Sequence, residues 1–147
     1  MISVIIPLYN KQDSITGTIQ SVLGQSVTDF ELVVVDDGST DNSVVMVQEI
    51  HDERIRVISK QNGGVCSARN AGIRAAHGEY VALMDADDIW DKDYLKEQLR
   101  MVADFPDCHM WGINYAETVE GRIIRDVPTG LPKGYRGIVE GYFGKKD

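Results

Sequence analysis

The sequence has few cysteines and no pattern that would use them. Only Cys66 and Cys108 occur among its 147 residues. They form no CxxC pair and have no histidine at zinc-site spacing, which excludes a sequence-encoded zinc site or a disulfide framework. We therefore expect two reduced thiols in a cytoplasmic protein that is stabilised by an apolar core.

Positive charge and long apolar runs are also scarce. Lys and Arg number 15 against 23 Asp and Glu, so the formal net charge is −8. This balance argues against nucleic acid or an anionic membrane as a direct partner, because both select clustered basic residues. Residues 1–8 are apolar but too short to cross a membrane, and they lack the basic region of a signal peptide.

Short apolar runs rich in Val and Ile alternate with stretches of helical period. This alternation predicts βαβ units, and therefore an α/β fold with a mainly parallel sheet between helices. The predicted strands are residues 2–7, 30–35, 55–59 and 80–84. Each is continuously apolar, as a strand buried on both faces should be.

Apolar spacing and capping residues predict a helix after each strand. The first helix has an apolar stripe of Ile15, Ile19, Val22 and Leu23, with Asp13 or Ser14 as its cap. The second begins at residues 39–41 and runs to about residue 51. The third spans residues 65–76, and its small residues Ala68, Ala71, Gly72 and Ala75 permit close packing on the sheet. The fourth begins at Asp91 and stops at Phe105-Pro106.

The pattern changes after Pro106. Residues 110–118 and 122–127 predict two strands joined through Glu120 and Gly121, which is a β-hairpin rather than another βαβ unit. Residues 130–147 predict no further strand or helix. We expect this last segment to be the start of an unfinished layer.

Polar residues follow the predicted strands, at the edge where an open α/β sheet binds its ligands. Asp85-Ala86-Asp87 comes directly after the fourth strand. Two carboxylates this close repel each other unless a cation joins them. Mg²⁺ and Mn²⁺ take oxygen ligands and are often completed by substrate phosphates, so the spacing predicts a metal-assisted diphosphate site. The alternative is that Asp87 and Asp88 cap the following helix.

The turns after the other strands hold further candidates. A carboxylate of the Asp36-Asp37 turn can accept a hydrogen bond from a base or a ribose, although Asp-Gly-Ser is also a common turn. Tyr9 can stack on a base and Lys11 can reach a phosphate, but both are also ordinary surface residues. Arg69 offers a donor fork at the same edge, or else forms a salt bridge to a neighbouring Asp.

Four segments together resemble a known family. They are residues 4–10 (VIIPLYN), 34–41 (VVDDGSTD), 63–72 (GGVCSARNAG) and 84–90 (MDADDIW). In order and spacing they resemble glycosyltransferase family two, inverting enzymes of the GT-A fold. The resemblance implies a Rossmann-like sheet sandwiched by helices and a nucleoside-diphosphate-sugar donor, for which we expect a UDP-sugar.

The resemblance also implies a role for each site residue. Pro7, Tyr9 and Asp37 would meet the nucleoside, Arg69 would lie near the base or ribose, and Asp87 would be the main metal ligand. The nucleotide-binding positions are then Pro7, Tyr9, Asn10, Lys11, Asp36, Asp37, Arg69, Asp85 and Ala86. The positions that would hold Mg²⁺ or Mn²⁺ are Asp85 and Asp87.

The sequence departs from the family after Asp85-Ala86-Asp87, which corresponds to the family's D-x-D motif. We find neither the Glu-Asp motif that carries the family's general base nor the Gln-x-x-Arg-Trp motif, so we expect the base beyond Asp147. Residues 1–106 are interpreted as the donor-binding region and residues 107–147 as the start of the acceptor-side region. We expect a fragment that binds the donor without transferring the sugar.

Two alternatives and several wider expectations remain open. One alternative is a non-catalytic nucleotide-binding module. The other is a sugar nucleotidyltransferase, which would need a Gly-rich, Arg-containing loop in place of Pro-Leu-Tyr-Asn-Lys.

We expect a saccharide or lipid-linked acceptor, a role in cell-envelope polysaccharide biosynthesis, and self-association as a homodimer. We expect a cytoplasmic protein, with the inner face of the membrane as the alternative site for a longer parent chain.

Overall fold

The computed structural model of the chain describes residues 1–112 and the backbone of residues 116–119 and 122–126. The elements in chain order are β1 (Ile2–Leu8), α1 (Ile15–Leu23), β2 (Phe30–Asp36), α2 (Ser43–Gln48), β3 (Ile55–Ser59), α3 (Val65–Ala75), β4 (Tyr80–Leu83), α4 (Tyr94–Asp104), β5 (Ala116–Val119) and β6 (Arg122–Asp126). The chain divides into two compact units, residues 1–95 and residues 96–147. The division falls within α4. The donor-binding region 1–106 and the acceptor-side region 107–147 stay a prediction.

The first unit is built on a parallel four-stranded sheet in the order β3-β2-β1-β4. The register places Ile2 beside both Phe30 and Tyr80, so β1 lies between β2 and β4. Every residue of β1 is buried, and β2 is nearly as fully buried. The predicted α/β architecture and the predicted positions of these strands are confirmed.

The outer strands are less covered than their apolar sequences predict. In β4 the burial alternates, and Val81 and Leu83 are 41% and 46% exposed. All residues of β3 are at least partly accessible. The prediction of burial on both faces is therefore wrong for these two strands, because they are the outer strands of this sheet, where fewer of the described elements cover the faces.

Helix α1 packs its predicted apolar stripe into the core, where Ile15, Ile19 and Val22 are fully buried. Ser14 occupies the N-cap position, but its side chain makes no capping hydrogen bond. Its hydroxyl donates instead to the carbonyl of Ala86, at 2.9 Å. The predicted side-chain cap is therefore wrong, because a distant carbonyl competes for the same hydroxyl.

Helix α2 is shorter than predicted, since it begins at Ser43 and ends at Gln48. The residues expected to start it are engaged elsewhere. Thr40 pairs with Asn10, and the Asp41 carboxylate accepts hydrogen bonds from the backbone amides of Gln12 and Ser43. These contacts hold residues 39–42 as a loop against the loop after β1.

Helix α3 lies directly on the sheet, as its small residues predict. Ala68 is fully buried in a cluster with Ile5, Val33 and Val35. Gly72 is buried so close to the sheet that a Cβ there would clash with the side chain of Ile5. The absence of side-chain bulk at Gly72 therefore sets the distance between α3 and β1.

Helix α4 begins at Tyr94, in the first unit, rather than at the predicted Asp91, and most of it belongs to the second unit. Asp91 instead precedes the helix, where its carbonyl and carboxylate accept hydrogen bonds from the amides of Tyr94 and Asp93. The next predicted strand is wrong at its start, since residues 110–112 are not a strand. Strands β5 and β6 pair antiparallel. The predicted turn at 120–121 and the predicted segment 130–147 lie outside the described residues.

Within the part of the chain that the structure describes, no helix is both long enough and apolar enough to cross a membrane. Both cysteines are free thiols, with Cys66 exposed and Cys108 partly exposed. The expectation of reduced cysteines is consistent with this arrangement.

Candidate functional site

A cleft of about 520 Å³ opens at the carboxyl ends of the parallel strands. It is lined by Pro7, Leu8, Tyr9, Lys11, Asp37, Asn62, Gly64, Val65, Ala68, Arg69, Asp85, Ala86 and Asp87. The strand register explains the convergence, because Leu8 lies beside Asp36 and Ile5 lies beside Leu83, so the loops after β1, β2 and β4 start at one edge. The cleft therefore collects residues from all four of the strand-end turns that the sequence marked.

The two D-x-D carboxylates each pair with a cation from another loop. Arg69 donates to Asp85 at 2.5 Å, and Lys11 donates to Asp87 at 2.6 Å. The side chains of Asp85 and Asp87 are each 50% exposed. The hydrogen bond to Asp87, together with the charges of Asp87 and Asp85, raises the pKa of Lys11 above its ordinary value. The salt bridge considered for Arg69 is thus present, and it contacts a residue of the predicted metal site.

The turn is also crowded with negative charge. Desolvation raises the pKa of Asp88 above its ordinary value, and the charges of Asp85 and Asp87 raise it further. The amide of Asp88 donates to the carbonyl of Asp85, which closes the turn. Because α4 begins at Tyr94, neither Asp87 nor Asp88 caps it. The capping alternative is therefore excluded, and the clustered carboxylates retain their candidate role.

The donor set of this turn fits a divalent ion that is shared with a substrate. In the described residues, no group of three or more His, Cys, Asp or Glu side chains is arranged to hold a metal by itself. Asp85 and Asp87 supply two carboxylates that solvent can reach. Mg²⁺ is commonly bound through one or two carboxylates, with waters and substrate phosphates completing its ligands.

Asp37 is a buried anchor for the loop after β3. Its carboxylate accepts hydrogen bonds from the amides of Gly63, at 3.0 Å, and Gly64, at 2.7 Å, and from the ammonium group of Lys60. Burial raises the pKa of Asp37, but the hydrogen bonds from Lys60 and the two glycines outweigh it and leave the pKa below its usual value. Lys60 was missed by the sequence analysis, although a basic residue directly after β3 was a usable signal.

Asn10 and Asp36 hold loops and are not among the residues that line the cleft. Asn10 adopts a positive φ of 50°, and its side chain exchanges hydrogen bonds with Thr40. Asp36 is 6% exposed and accepts a hydrogen bond from the amide of Ser39, at 2.8 Å. Their contact with a nucleotide stays a prediction, and the contacts seen here fix the shape of the surrounding loops.

Two cleft residues keep groups available for a ligand. Tyr9 is 47% exposed, so its ring has a free face. The Nε of Arg69 is buried and has no hydrogen-bond partner among the described residues. A buried donor without a partner is costly unless a ligand or water satisfies it. The cleft thus offers an aromatic surface, an unused donor, two carboxylates and a lysine.

A parallel sheet with such a cleft beyond its strand ends, and an acidic D-x-D turn after β4, defines the class of GT-A glycosyltransferase folds. The chain matches the model of the family described as Glycosyl transferase family 2 over residues 3–140. It belongs to this family.

Individual relatives agree with this assignment. The chain is 37% identical over 116 residues to the Escherichia coli UDP-Glc:alpha-D-GlcNAc-diphosphoundecaprenol beta-1,3-glucosyltransferase WfgD, covering 78% of the chain and 46% of WfgD. S. aureus TarS 1-349 in complex with UDP-GlcNAc is similar with a TM-score of 0.70 and 30% identity, covering 85% of the chain and 37% of TarS 1-349. The Pyrobaculum calidifontis mannosyltransferase PcManGT in complex with GDP-Man and Mn²⁺ has a TM-score of 0.66 and 31% identity, covering 70% of the chain and 32% of PcManGT. The chain thus spans less than half the length of each.

Proposed function

We propose that the cleft binds a nucleoside diphosphate sugar, specifically a UDP-sugar, together with Mg²⁺ or Mn²⁺. The chain would then be the donor-binding part of an inverting glycosyltransferase that acts on a saccharide or lipid-linked acceptor. The observation that carries the proposal is the convergence of Tyr9, the partnerless Nε of Arg69 and the two D-x-D carboxylates in one cleft.

The exposed ring of Tyr9, beside Pro7, provides an apolar surface for the base. Asp37 keeps the loop after β3 in place by accepting hydrogen bonds from the amides of Gly63 and Gly64. Lys11 and Arg69 bring positive charge to a chain whose formal net charge is −8. Asp85 and Asp87 would hold the divalent ion, which, when bound, offsets the charge that develops on the departing nucleoside diphosphate.

Transfer with inversion also requires a base that takes the proton of the acceptor hydroxyl. Three carboxylates line the cleft within the described residues: Asp37 holds the loop that contains Gly63 and Gly64, and Asp85 and Asp87 are the proposed metal ligands, so none of them is left for this role. We therefore propose that the base lies outside the described residues. On this view the chain binds the donor but transfers sugar poorly.

WfgD and TarS favour the UDP-sugar donor, WfgD also favours the lipid-linked acceptor, and PcManGT favours the divalent ion. The name of WfgD specifies a UDP-glucose donor and a diphosphoundecaprenol-linked acceptor. TarS has a crystal structure in complex with UDP-GlcNAc, and PcManGT has a solved structure in complex with GDP-Man and Mn²⁺. An acceptor carried on a lipid diphosphate would suit a protein working at the inner face of the membrane, which is the location we propose.

Calorimetric titration with UDP tests the proposal. We expect UDP to bind in Mn²⁺ or Mg²⁺ and to bind much more weakly, but still measurably, in EDTA. Asp87→Asn should weaken the metal-dependent binding by roughly tenfold or more, because the change removes a charged metal ligand. Asp13→Asn, a surface change of the same type outside the cleft, is the matched control. Equal UDP affinity with and without EDTA would contradict the metal-assisted site.

A further inference from the structure

Helix α1 has a polar stripe beside its apolar one. Ser14, Thr18, Ser21 and Gln25 recur at the spacing of one helix face, with Gln25 continuing the spacing just past the end of the helix. We call these four residues the α1 polar stripe. The apolar stripe packs into the core, so the polar stripe must find its partners elsewhere.

Those partners are backbone groups of the D-x-D turn and the segment after it. The hydroxyls of Ser14 and Thr18 both donate to the carbonyl oxygen of Ala86, at 2.9 and 3.0 Å. Further along, the Ser21 hydroxyl accepts a hydrogen bond from the amide of Trp90, at 3.2 Å. Ala86 is the middle residue of the D-x-D motif, so Ser14 and Thr18 hold the motif itself.

Gln25, the last residue of the stripe, holds the segment that leads into α4. The Gln25 side-chain amide donates to the carbonyl of Asp91, at 2.6 Å, and its carbonyl oxygen accepts from the amide of Leu95, at 2.9 Å. Gln25 is 4% exposed. One side chain thus satisfies a carbonyl of the segment before α4 and an amide in the first turn of α4.

The hydrogen bonds at Ala86 are better protected than the carboxylates on either side of it. Thr18 is fully buried and Ala86 is 3% exposed, whereas the side chains of Asp85 and Asp87 are half exposed. Exposed ion pairs restrain a side chain weakly. Breaking a buried hydrogen bond costs more free energy, because it leaves a buried carbonyl without a partner. The backbone position of the turn is therefore set from α1.

We propose that Ser14 and Thr18 are positioning residues for the D-x-D turn. By holding the Ala86 carbonyl with two hydroxyls, they keep the Asp85 and Asp87 carboxylates at a fixed spacing before the divalent ion arrives. The inference rests on the proposed function, since it assumes that these carboxylates hold the metal. Groups that orient metal ligands are commonly worth about 10–100-fold in metal affinity.

The test compares Thr18→Val, which removes the hydroxyl at nearly constant volume, with Thr18→Ser, which keeps it. We expect Thr18→Val to weaken Mn²⁺-dependent UDP binding by roughly tenfold and Thr18→Ser to restore it. The weaker UDP binding that is measured in EDTA should be the same in Thr18→Val as in the wild type. Thr16→Val, the same change on a different side of α1, is the matched control, and the EPR spectrum of bound Mn²⁺ reports the ligand geometry directly.

The outcomes separate the two proposals. If Asp87→Asn weakens binding but Thr18→Val behaves like Thr16→Val, the positioning role is wrong and the proposed function stands. If Asp87→Asn has no effect, the proposed function fails and the positioning role fails with it. An equal loss of binding with and without metal in Thr18→Val would mean a purely structural role and would also overturn the inference. Should Thr18→Val not fold, Ser14→Ala at the half-buried partner hydroxyl decides by the same criteria.

Discussion

Each carboxylate of the D-x-D motif has a cation beside it before any ligand is bound. Lys11 pairs with Asp87 and Arg69 pairs with Asp85, and all four side chains are at least one third exposed. Exposed ion pairs of this kind are weak and exchange partners readily. A divalent ion entering the site would therefore compete with Lys11 and Arg69 for the same oxygens, and both cations would be released beside the diphosphate.

This competition makes Lys11→Met informative at the level of a single residue. Without nucleotide, Mn²⁺ should bind about two- to fivefold more tightly to Lys11→Met, because removing the lysine frees Asp87 from an exposed ion pair. With Mn²⁺ present, UDP should bind more weakly, because a cation near the phosphates is lost. EPR titration of Mn²⁺ and calorimetry with UDP measure the two effects. Lys92→Met makes the same charge change outside the cleft, and identical behaviour of the two variants would refute the idea.

Residue roles were harder to predict than residue positions. The sequence located Asp37 at the correct edge, because acidic residues after buried strands meet there. It did not show that Lys60, Gly63 and Gly64 would all donate to that carboxylate. Which donors reach a side chain depends on loop conformations, and these follow from packing between loops distant in sequence.

At the scale of elements, apolar periodicity predicted well which face of a helix is buried. The prediction did not consider that a capping side chain can form its hydrogen bonds with another loop instead. The stripe of α1 that packs into the core was readable from Ile15, Ile19 and Val22. The late start of α2 was not, because Thr40 and Asp41 bond to the loop after β1 instead of starting a helix. A capping residue has several possible partners, and only the tertiary structure decides among them.

Two glycine-to-alanine changes in helices should have opposite signs. Gly72→Ala should destabilise the protein by about 1–3 kcal/mol, because the new methyl group would overlap Ile5 and force α3 from the sheet. Gly17→Ala in α1 should stabilise it by roughly 0.5–1 kcal/mol, because its Cβ would meet Ile89 at an ordinary 3.6 Å and alanine favours a helix. Urea unfolding measures both free energies. A stabilised Gly72→Ala would show that α3 can shift without cost.

At the scale of the whole molecule, stability should depend on one carboxylate that joins several elements. Glu31 on β2 accepts hydrogen bonds from the Ser3 hydroxyl, the His77 amide and the Arg56 guanidinium group. Burial would raise the pKa of Glu31, but these hydrogen bonds outweigh it and lower the pKa from 4.5 to about 2. The imidazole of His77 also lies 3.3 Å from the carboxylate.

A folded-state pKa below the unfolded value gives stability that is fully present above pH 4.5 and is lost as the pH falls toward 2. The difference between 4.5 and about 2 corresponds to roughly 3 kcal/mol. We expect the unfolding free energy of the wild type to fall by about this much more than that of Glu31→Gln between pH 6 and pH 2. Urea unfolding across this range measures it, and parallel curves for the two proteins would contradict the assignment.

The strand order also determines when the cleft can exist. Strand β1 pairs with β2, which follows it closely along the chain, and with β4, which follows only after β3 and α3. Contacts between segments far apart in sequence form slowly, because a long loop must close before they contribute. During synthesis, β1, α1 and β2 leave the ribosome well before Asp85 and Asp87 do. The pairing of β4 with β1 closes the longer loop, so we expect the D-x-D turn to reach the hydroxyls of Ser14 and Thr18 late in folding.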